Sequence, residues 1–354
     1  MTVATAQGGR RASTSTLRAA GRPVSQWVRP AAWLALPSVT GQQRFAGLHR
    51  IDLESNFVAL TAAGDYTVDW GDGTTTNHAS GSTAQKQYDY ATIPNTGEAS
   101  LGYRQVIIQV YPQAGQNLTS LSLQVRHNQS GLSAYIPGWL EVAVNGSNLA
   151  ALSIGGSISL SYLEQATIGD HAMTSAANLF QNCRVLRSVP LFNTAAVTTM
   201  VSMFQSCSSL TTVPLFKTAS VTNMASMFAN CTQLAAAPAF NIAGASAAMS
   251  SMFSGCSSLV SVRLENMATA LNTANVFLNC PSLSSIAMPG YFRDGFSVAN
   301  CKLSPAALNA LYASLGTANA GSVVAARTIT VTGNWGTVSD DPTIATAKNW
   351  TVTG

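Results

Sequence analysis

Residues 197–214 read VTTMVSMFQSCSSLTTVP and residues 221–238 read VTNMASMFANCTQLAAAP, so one phrase is written twice with a shift of 24 residues. The phrase recurs in the same phase between residues 178 and 290. Its most regular element is a phenylalanine followed three residues later by a cysteine, and successive cysteines are 24, 24, 25 and 24 residues apart. These cysteines are Cys183, Cys207, Cys231, Cys256 and Cys280.

A fixed period of this length predicts a solenoid, because one unit is too small to bury its own apolar face and must pack on its neighbours. Equivalent residues then stack in columns, with strands of successive coils roughly 4.8 Å apart. The five cysteines therefore predict one buried ladder of unbridged thiols that behave as small apolar side chains.

Two parts of the repeat predict different local structures. The Leu-x-x-Val-Pro part, as in residues 210–214, predicts a strand. The part that contains Met200, Met203 and Phe204 predicts a helical return, because the spacing i, i+3, i+4 puts three apolar side chains on one helix face.

The two quoted phrases resemble the BspA-like class of leucine-rich repeats, which occurs in bacterial surface proteins and in phage virion proteins. The resemblance covers about a third of the chain and rests on several columns that recur in phase. It implies a solenoid used for binding, and it implies no chemistry.

The composition limits the kind of surface that this solenoid can have. Charged residues make up 9% of the chain, against roughly 25% in average soluble domains, and apolar residues make up 47%. Residues 171–290 contain five charged side chains, which are Arg184, Arg187, Lys217, Arg263 and Glu265. A surface of Ser, Thr, Asn and Ala fits a protein that is packed into a larger assembly or that presents a neutral polar face. It does not fit a nucleic-acid binder, which needs a basic stripe.

The remaining sequence signals favour a protein that folds inside a cell without cofactors. No Cys-x-x-Cys pair or histidine cluster indicates a metal site, and Cys301 lies outside the 24-residue spacing. Unbridged thiols indicate a reducing compartment. Residues 1–30 lack the apolar core of a secretory signal, and the longest apolar run, Ala31 to Leu36, is too short to insert into a membrane.

Residues 1–50 predict a basic N-terminal arm with seven arginines and no acidic residue. One interpretation is docking onto an acidic partner, and the other is a solvated, flexible tail. The candidate docking residues are Arg10, Arg11, Arg18, Arg22 and Arg29.

Residues 51–113 predict a small β-sandwich. Residues 66–70 alternate as a strand does, and Asp72-Gly73 predicts a tight turn, because glycine accepts a positive φ. The stretch from Val68 to Thr74, with a tyrosine pair and a later strand at 103–110, resembles the PKD domain, an immunoglobulin-like sandwich. That family usually has an aromatic residue between the tryptophan and the glycine, which is missing here. The resemblance implies a spacer or interaction module without catalysis.

Few residues are candidates for catalysis. Asp69 and Asp72 could act as an acid–base pair or bind calcium, but a side chain in an Asp-Gly turn more often caps its own backbone, and we favour that interpretation. The four histidines do not lie in a recognised triad motif. They are His49, His78, His127 and His171.

The C-terminal residues 291–354 predict an α/β cap on the solenoid. Ser304-Pro305 is a strong helix start, Leu308, Leu311 and Tyr312 share one face, and Gly316 is a fitting end. Strands are predicted at 327–333 and 349–353, with a short helix from Asp341-Pro342 between them.

Together these features predict a mixed α/β protein with a basic arm (1–50), a PKD-like sandwich (51–113), a leucine-rich-repeat-like solenoid (114–290) and a cap (291–354). Residues 118–170 are interpreted as irregular early coils. The resemblance and the missing export signal favour a phage virion structural protein of the tail or its fibres, assembled in the host cytoplasm. Its expected partners are other virion proteins and a host surface receptor, protein or glycan, and fibre-like proteins favour a trimeric homo-oligomer.

Two alternatives stay open. A bacterial cell-surface adhesin explains the repeats but not the missing export signal. A tail enzyme that hydrolyses glycans is disfavoured, because Glu265 is the one carboxylate among residues 171–290. We therefore predict no catalytic, cofactor-binding or metal-binding residues.

Overall fold

The computed structural model describes residues 28–94, 101–128, 137–241, 248–265, 272–288, 295–316 and 327–354. These residues form mostly strands and turns. The strands before the regular repeats are β1 (Arg44–Ile51), β2 (Phe57–Ala63), β3 (Tyr66–Asp69), β4 (Thr75–His78), β5 (Thr83–Gln87), β6 (Arg104–Pro112), β7 (Ser120–Ser122), β8 (Trp139–Asn145), β9 (Ala151–Ser153) and β10 (Gln165–Ile168). The later elements are β11 (Phe240–Asn241), β12 (Ser261–Glu265), β13 (Ser285–Ala287), β14 (Phe296–Ser297), α1 (Pro305–Ser314), β15 (Arg327–Thr330), α2 (Thr343–Thr346) and β16 (Trp350–Thr353).

Two sheets make up the N-terminal part. One has the strand order β10-β8-β1-β6-β3-β4, and the other has the order β5-β2-β7-β9. The strands pair antiparallel except at one side of each sheet, where β8 pairs with β10 and β7 pairs with β9 in parallel. Alternation explains these strands, since Val106, Ile108 and Val110 of β6 are buried.

The observed sheets differ from the predicted domain boundaries. Residues 44–50 were predicted to belong to the arm, but they form most of β1, whose Phe45 and Leu48 are buried. Residues 140–144 were interpreted as an early coil, yet β8 pairs antiparallel with β1. The reason is that β8 buries apolar side chains on both faces and therefore lies inside the sheet, between β10 and β1. This one sheet thus contains strands from all three predicted segments on either side of residues 50 and 113.

The stack of parallel coils predicted for the repeats is confirmed, but the helical return is wrong. Backbone amides around each Phe-x-x-Cys alternate between two kinds of acceptor. Gln205 N donates to Ser202 O within the coil (3.1 Å), whereas Phe204 N donates to Met227 O of the next coil (2.9 Å). Ser202 and Ser206 adopt positive φ values of 52° and 63°, which interrupts any α-helix.

Proline decides which coils have a regular strand. The strand predicted at each Leu-x-x-Val-Pro becomes a true strand in β12 and β13, where Val262 and Ile286 are not followed by proline. Near Pro190 an isolated parallel bridge joins Gln165 and Ser188. The coil with Pro238 pairs with the next coil on both sides of the proline, through the bridge between Ala236 and Ser261 and through the two-residue strand β11, but the ladder is interrupted at the proline itself. Proline lacks the amide hydrogen that a continuous ladder needs.

The cap predicted at the C-terminus is confirmed in its elements. Helix α1 begins after Ser304, whose Oγ accepts a hydrogen bond from Ala307 N (3.1 Å), and it buries Leu308, Leu311 and Tyr312. Strands β14, β15 and β16 pair in parallel and so continue the direction of the coils.

One apolar core runs from β1 to β16, and a smaller separate cluster contains Trp33, Leu48, Tyr103 and Leu140. Buried side chains from Phe45 in β1 to Trp350 in β16 belong to a single packed cluster. At the N-terminal end of the regular coils, Gly155 N donates to Leu179 O (2.7 Å) and Gly156 N donates to Gln181 O (3.0 Å), so the sheets and the coils are joined by hydrogen bonds as well. No helix among the described residues is long and apolar enough to cross a membrane.

Candidate binding surface

The inner side of the solenoid is a column of stacked phenyl rings. Successive ring centroids lie 5.4, 5.6, 5.5 and 5.9 Å apart, and the planes deviate from parallel by 14° or less. The rings belong to Phe180, Phe204, Phe228, Phe253 and Phe277, which are fully buried. A second set of rings, Phe192, Phe216 and Phe240, packs beside this column. This set also follows the 24-residue spacing, but our sequence analysis did not use it.

The five predicted ladder cysteines are buried free thiols that stack beside the phenyl column. Their role goes beyond that of small apolar side chains, because each thiol except the first donates to a carbonyl oxygen of the preceding coil. Cys207 Sγ lies 3.0 Å from Phe180 O, and Cys231 Sγ lies 3.1 Å from Phe204 O. Burial raises the pKa of these thiols well above the ordinary value. The ladder is thus a structural element with unreactive thiols.

Cys301 also adjoins the ladder, although its spacing of 21 residues from Cys280 placed it outside the repeat. Burial and the neighbouring Cys280 thiol raise the pKa of Cys301 to about 12. The residue before it, Asn300, has a φ of 57°, as Asn279 before Cys280 has a φ of 60°. The cap therefore begins with a shortened coil.

The outer side of the regular coils carries an apolar column that faces solvent. Leu191 and Leu215 occupy equivalent positions in adjacent coils, and their exposed fractions are 63% and 57%. We call this pair the leucine column. Each leucine precedes a buried phenylalanine, Phe192 or Phe216, so the backbone is held firmly where the leucine points outward.

A cleft of about 520 Å³ lies beside Leu215 and crosses three coils. Its lining includes the apolar side chains of Phe216 and Ala239, and its two charged side chains are Lys217 and Glu265. The register of β11 and β12 sets Asn241 opposite Glu265, so Lys217 and Glu265 are two coils apart in one column. The arrangement offers an apolar floor with one positive and one negative end, which suits an extended segment of another protein.

Of the predicted docking arginines, Arg10, Arg11, Arg18 and Arg22 lie outside the described residues. Arg29 is described, and it does not face outward to a partner. Its Nε lies 2.8 Å from a carboxylate oxygen of Glu141 on β8, and its guanidinium also donates to the carbonyl oxygens of Trp33 and Leu34. Arg29 therefore ties residues 29–34 to the six-stranded sheet of its own chain.

The two candidate carboxylates accept hydrogen bonds from the turn that contains them. Asp69 accepts from Gly71 N (3.0 Å), and Asp72 accepts from Thr74 N (3.1 Å) and pairs with Lys86 (2.5 Å). The hydrogen bonds from Lys86 and Thr74 lower the pKa of Asp72 against the opposing effect of burial. Both side chains cap the turn, which confirms the sequence interpretation.

The histidines do not form a site together. His49 is buried beside Trp139, and its Nε2 accepts from Gly138 N (2.9 Å). His78 stacks on Tyr66, His127 lies against Phe57, and His171 lies against Phe192. In the described part of the chain, no three His, Cys, Asp or Glu side chains are grouped so that they could hold a metal ion.

The comparisons with known proteins concern the coils. The family described as "Mycoplasma protein of unknown function, DUF285" matches residues 171–286, which is about a third of the chain. The matched range contains all five ladder cysteines and the leucine column, whereas the N-terminal sheets and the whole cap lie outside it. No curated protein matches the chain. The chain is similar to this family over its regular coils, and the similarity supports a repeat-type protein.

Proposed function

We propose that the chain is a non-enzymatic binding protein whose solenoid holds a protein partner at the leucine column and the adjacent cleft. The exposure of Leu191 and Leu215 carries this proposal. The repeat buries most of its large apolar side chains, yet Leu191 and Leu215 stay outside and in register, and Leu215 lines an open cleft. Apolar groups clustered in this way are typical of interaction sites.

The proposed setting is a phage virion, in the tail or its fibres, where the partner is another virion protein or a host receptor. The low charge of the coils supports a protein packed within an assembly, since five charged side chains in residues 171–290 leave a neutral surface. In this proposal the basic residues before Arg29 dock the protein, the N-terminal sheets act as a PKD-like spacer, and the virion protein is a trimer.

A bacterial cell-surface adhesin is the second candidate. The similarity of residues 171–286 to a family described as a Mycoplasma protein favours it, because that description names a bacterium. The leucine column would serve either setting, so the two candidates differ in location and not in the contact.

Location is tested by labelling. An epitope-tagged chain is expressed from its own locus, particles are purified from the culture, and a labelled antibody is imaged by negative-stain electron microscopy. Label on tails or fibres supports the virion proposal. Label confined to the surface of the producing cells refutes it and supports the adhesin.

The contact is tested by a matched pair of double variants. Leu191→Ser with Leu215→Ser removes the exposed apolar column, and we expect at least a ten-fold lower occupancy of the particle or cell surface with an unchanged melting temperature. The control is Leu53→Ser with Leu278→Ser, which removes two exposed leucines (74% and 45%) outside the cleft. Equal occupancy of both variants would refute the role of the leucine column.

A further inference from the structure

A second cleft, of about 480 Å³, lies where the last regular coils meet the cap. Its lining consists of Val260, Ser282, Ser284, Lys302, Ser304 and Trp335. Four of these six side chains are polar, and the described residues that line the cleft include no carboxylate. The cleft therefore differs from the apolar one beside the leucine column.

Trp335 is exposed to 62%, which is unusual for an indole, yet its backbone is firmly held. The preceding Asn334 is buried, and its amide group donates to Val298 O and Val331 O (2.8 Å each). The amide oxygen of Asn334 accepts from Leu303 N (2.9 Å). An exposed aromatic ring on a fixed backbone loses little conformational freedom when it binds a ligand.

Gly336, on the other side of Trp335, adds to this rigidity. Its amide donates to Leu303 O (3.1 Å), and a Cβ atom at this position would lie 2.4 Å from the carbonyl carbon of Ser304. Only glycine allows the turn to approach the start of α1 so closely. The backbone on both sides of Trp335 is therefore fixed beside the start of α1.

Polar groups of the cleft are available to a ligand, although the Ser304 oxygen already accepts from Ala307 N and offers only its hydroxyl hydrogen. Lys302 is exposed, and no acidic side chain of the described residues pairs with it. The indole nitrogen of Trp335 likewise has no hydrogen-bond partner in the described part of the chain. Ser284 makes only a long contact, 3.4 Å, with Val260 O.

We propose that this second cleft binds an acidic sugar of a surface polysaccharide. The C–H face of a pyranose ring stacks on the indole of Trp335, whose apolar body and polar N–H suit a ligand of mixed character. Lys302 pairs with the sugar carboxylate, and the serine hydroxyls bind ring hydroxyls. The inference rests on the proposed function in one respect, since it supplies the chemical class of the surface receptor.

The test measures binding of purified full-length protein by isothermal titration calorimetry. The probes are trigalacturonate, trimannuronate and sialyllactose, with the methyl ester of each acid as an uncharged control. We expect at least one acid to bind, a ten-fold or greater loss of affinity with Trp335→Ala, and a loss with Lys302→Gln for the acid but not for its ester. Affinity for the acid should also fall with added salt.

Val338→Ser is the matched control, because Val338 ends the same 3-10 turn, is 90% exposed and does not line the cleft. It should bind as the wild type does. Absence of binding to all three acids, or wild-type affinity in Trp335→Ala, would overturn the inference. Either result leaves the leucine column untouched, since occupancy of particles or cells by the Leu191 and Leu215 variant is measured separately.

Discussion

Phe228 lies at the middle of the phenyl column, and replacing it with alanine is the most direct test of the stacked coils. Its fully buried ring lies 5.6 Å from Phe204 and 5.5 Å from Phe253, and it also contacts Phe240 at 5.7 Å. A buried Phe→Ala change usually costs about 3–5 kcal/mol. Each ring pair contributes about 0.5–1.5 kcal/mol beyond the buried area, so three pairs put Phe228→Ala at the upper end, about 5 kcal/mol.

Phe277→Ala provides the matched comparison, because this ring is equally buried but, among the described residues, stacks on a single ring, that of Phe253 at 5.9 Å. We expect about 3–4 kcal/mol for this variant, so at least 1 kcal/mol should separate the two. The assay is urea unfolding followed by tryptophan fluorescence and circular dichroism. Equal losses in both variants would refute the ring contribution, and an unchanged midpoint in Phe228→Ala would refute the stacking register.

Three further outcomes follow from the thiols, the N-terminal ion pair and the buried histidine. Iodoacetamide should label none of the six cysteines in the folded protein and all six after unfolding, because the thiols are buried and free; two or more disulfides by mass spectrometry would contradict this. Arg29→Met should lower the free energy of unfolding by about 1–2 kcal/mol and speed proteolysis of residues 29–34, because Glu141 loses a charged hydrogen bond; unchanged digestion would count against the anchor. Burial lowers the pKa of His49 from 6.5 to about 3. Between these two pH values the unfolded chain binds more protons than the folded protein. The free energy of unfolding should therefore fall by up to about 1.4 kcal/mol for each pH unit as the pH is lowered from 6.5 to 3. His49→Gln should flatten that slope in urea titrations, and an identical slope in both proteins would exclude His49 as the source.

The solenoid was predictable because residues at equal positions of successive repeats contact one another, so the sequence period itself indicates the tertiary contacts. Phe204 and Cys207 recur at one spacing, and a stack brings equal positions together, so their burial follows from the period alone. Helix α1 was predictable for a different reason. Ser304 and Pro305 form a local start signal that needs no knowledge of the rest of the fold.

The turn geometry of the coils was missed although a signal was present. The residue before each ladder cysteine is Asn182, Ser206, Asn230, Gly255 or Asn279, and all five have a positive φ. Asparagine and glycine tolerate this conformation best, and they are poor helix formers. The i, i+3, i+4 spacing of the methionines fits successive three-residue turns as well as a helix, so apolar spacing alone could not separate the two.

The N-terminal contacts could not be predicted from local patterns. Strand β8 joins β1 across about 90 residues of chain, and nothing near Trp139 in the sequence indicates that partner. The pairing of Arg29 with Glu141 is equally remote. The leucine column was not predicted because a leucine in a repeat is usually expected in the core. In the structure the neighbouring Phe192 and Phe216 occupy the interior, and Leu191 and Leu215 are left outside.

The inter-coil hydrogen bonds around each Phe-x-x-Cys all point in the same direction, so the two ends of the solenoid differ along this edge. There the inter-coil amides of Asn182, Ser206 and Asn230 all donate toward the C-terminus, to Gln205, Ala229 and Ser254. The first coil consequently has carbonyl groups without a donor from a preceding regular coil, and the amides of Gly155 and Gly156 donate hydrogen bonds to two of them. A complete coil can be inserted or removed without disturbing this pattern, because each coil offers amides on one side and carbonyl groups on the other. The reach of the outer face therefore changes in steps of roughly 4.8 Å, one coil at a time.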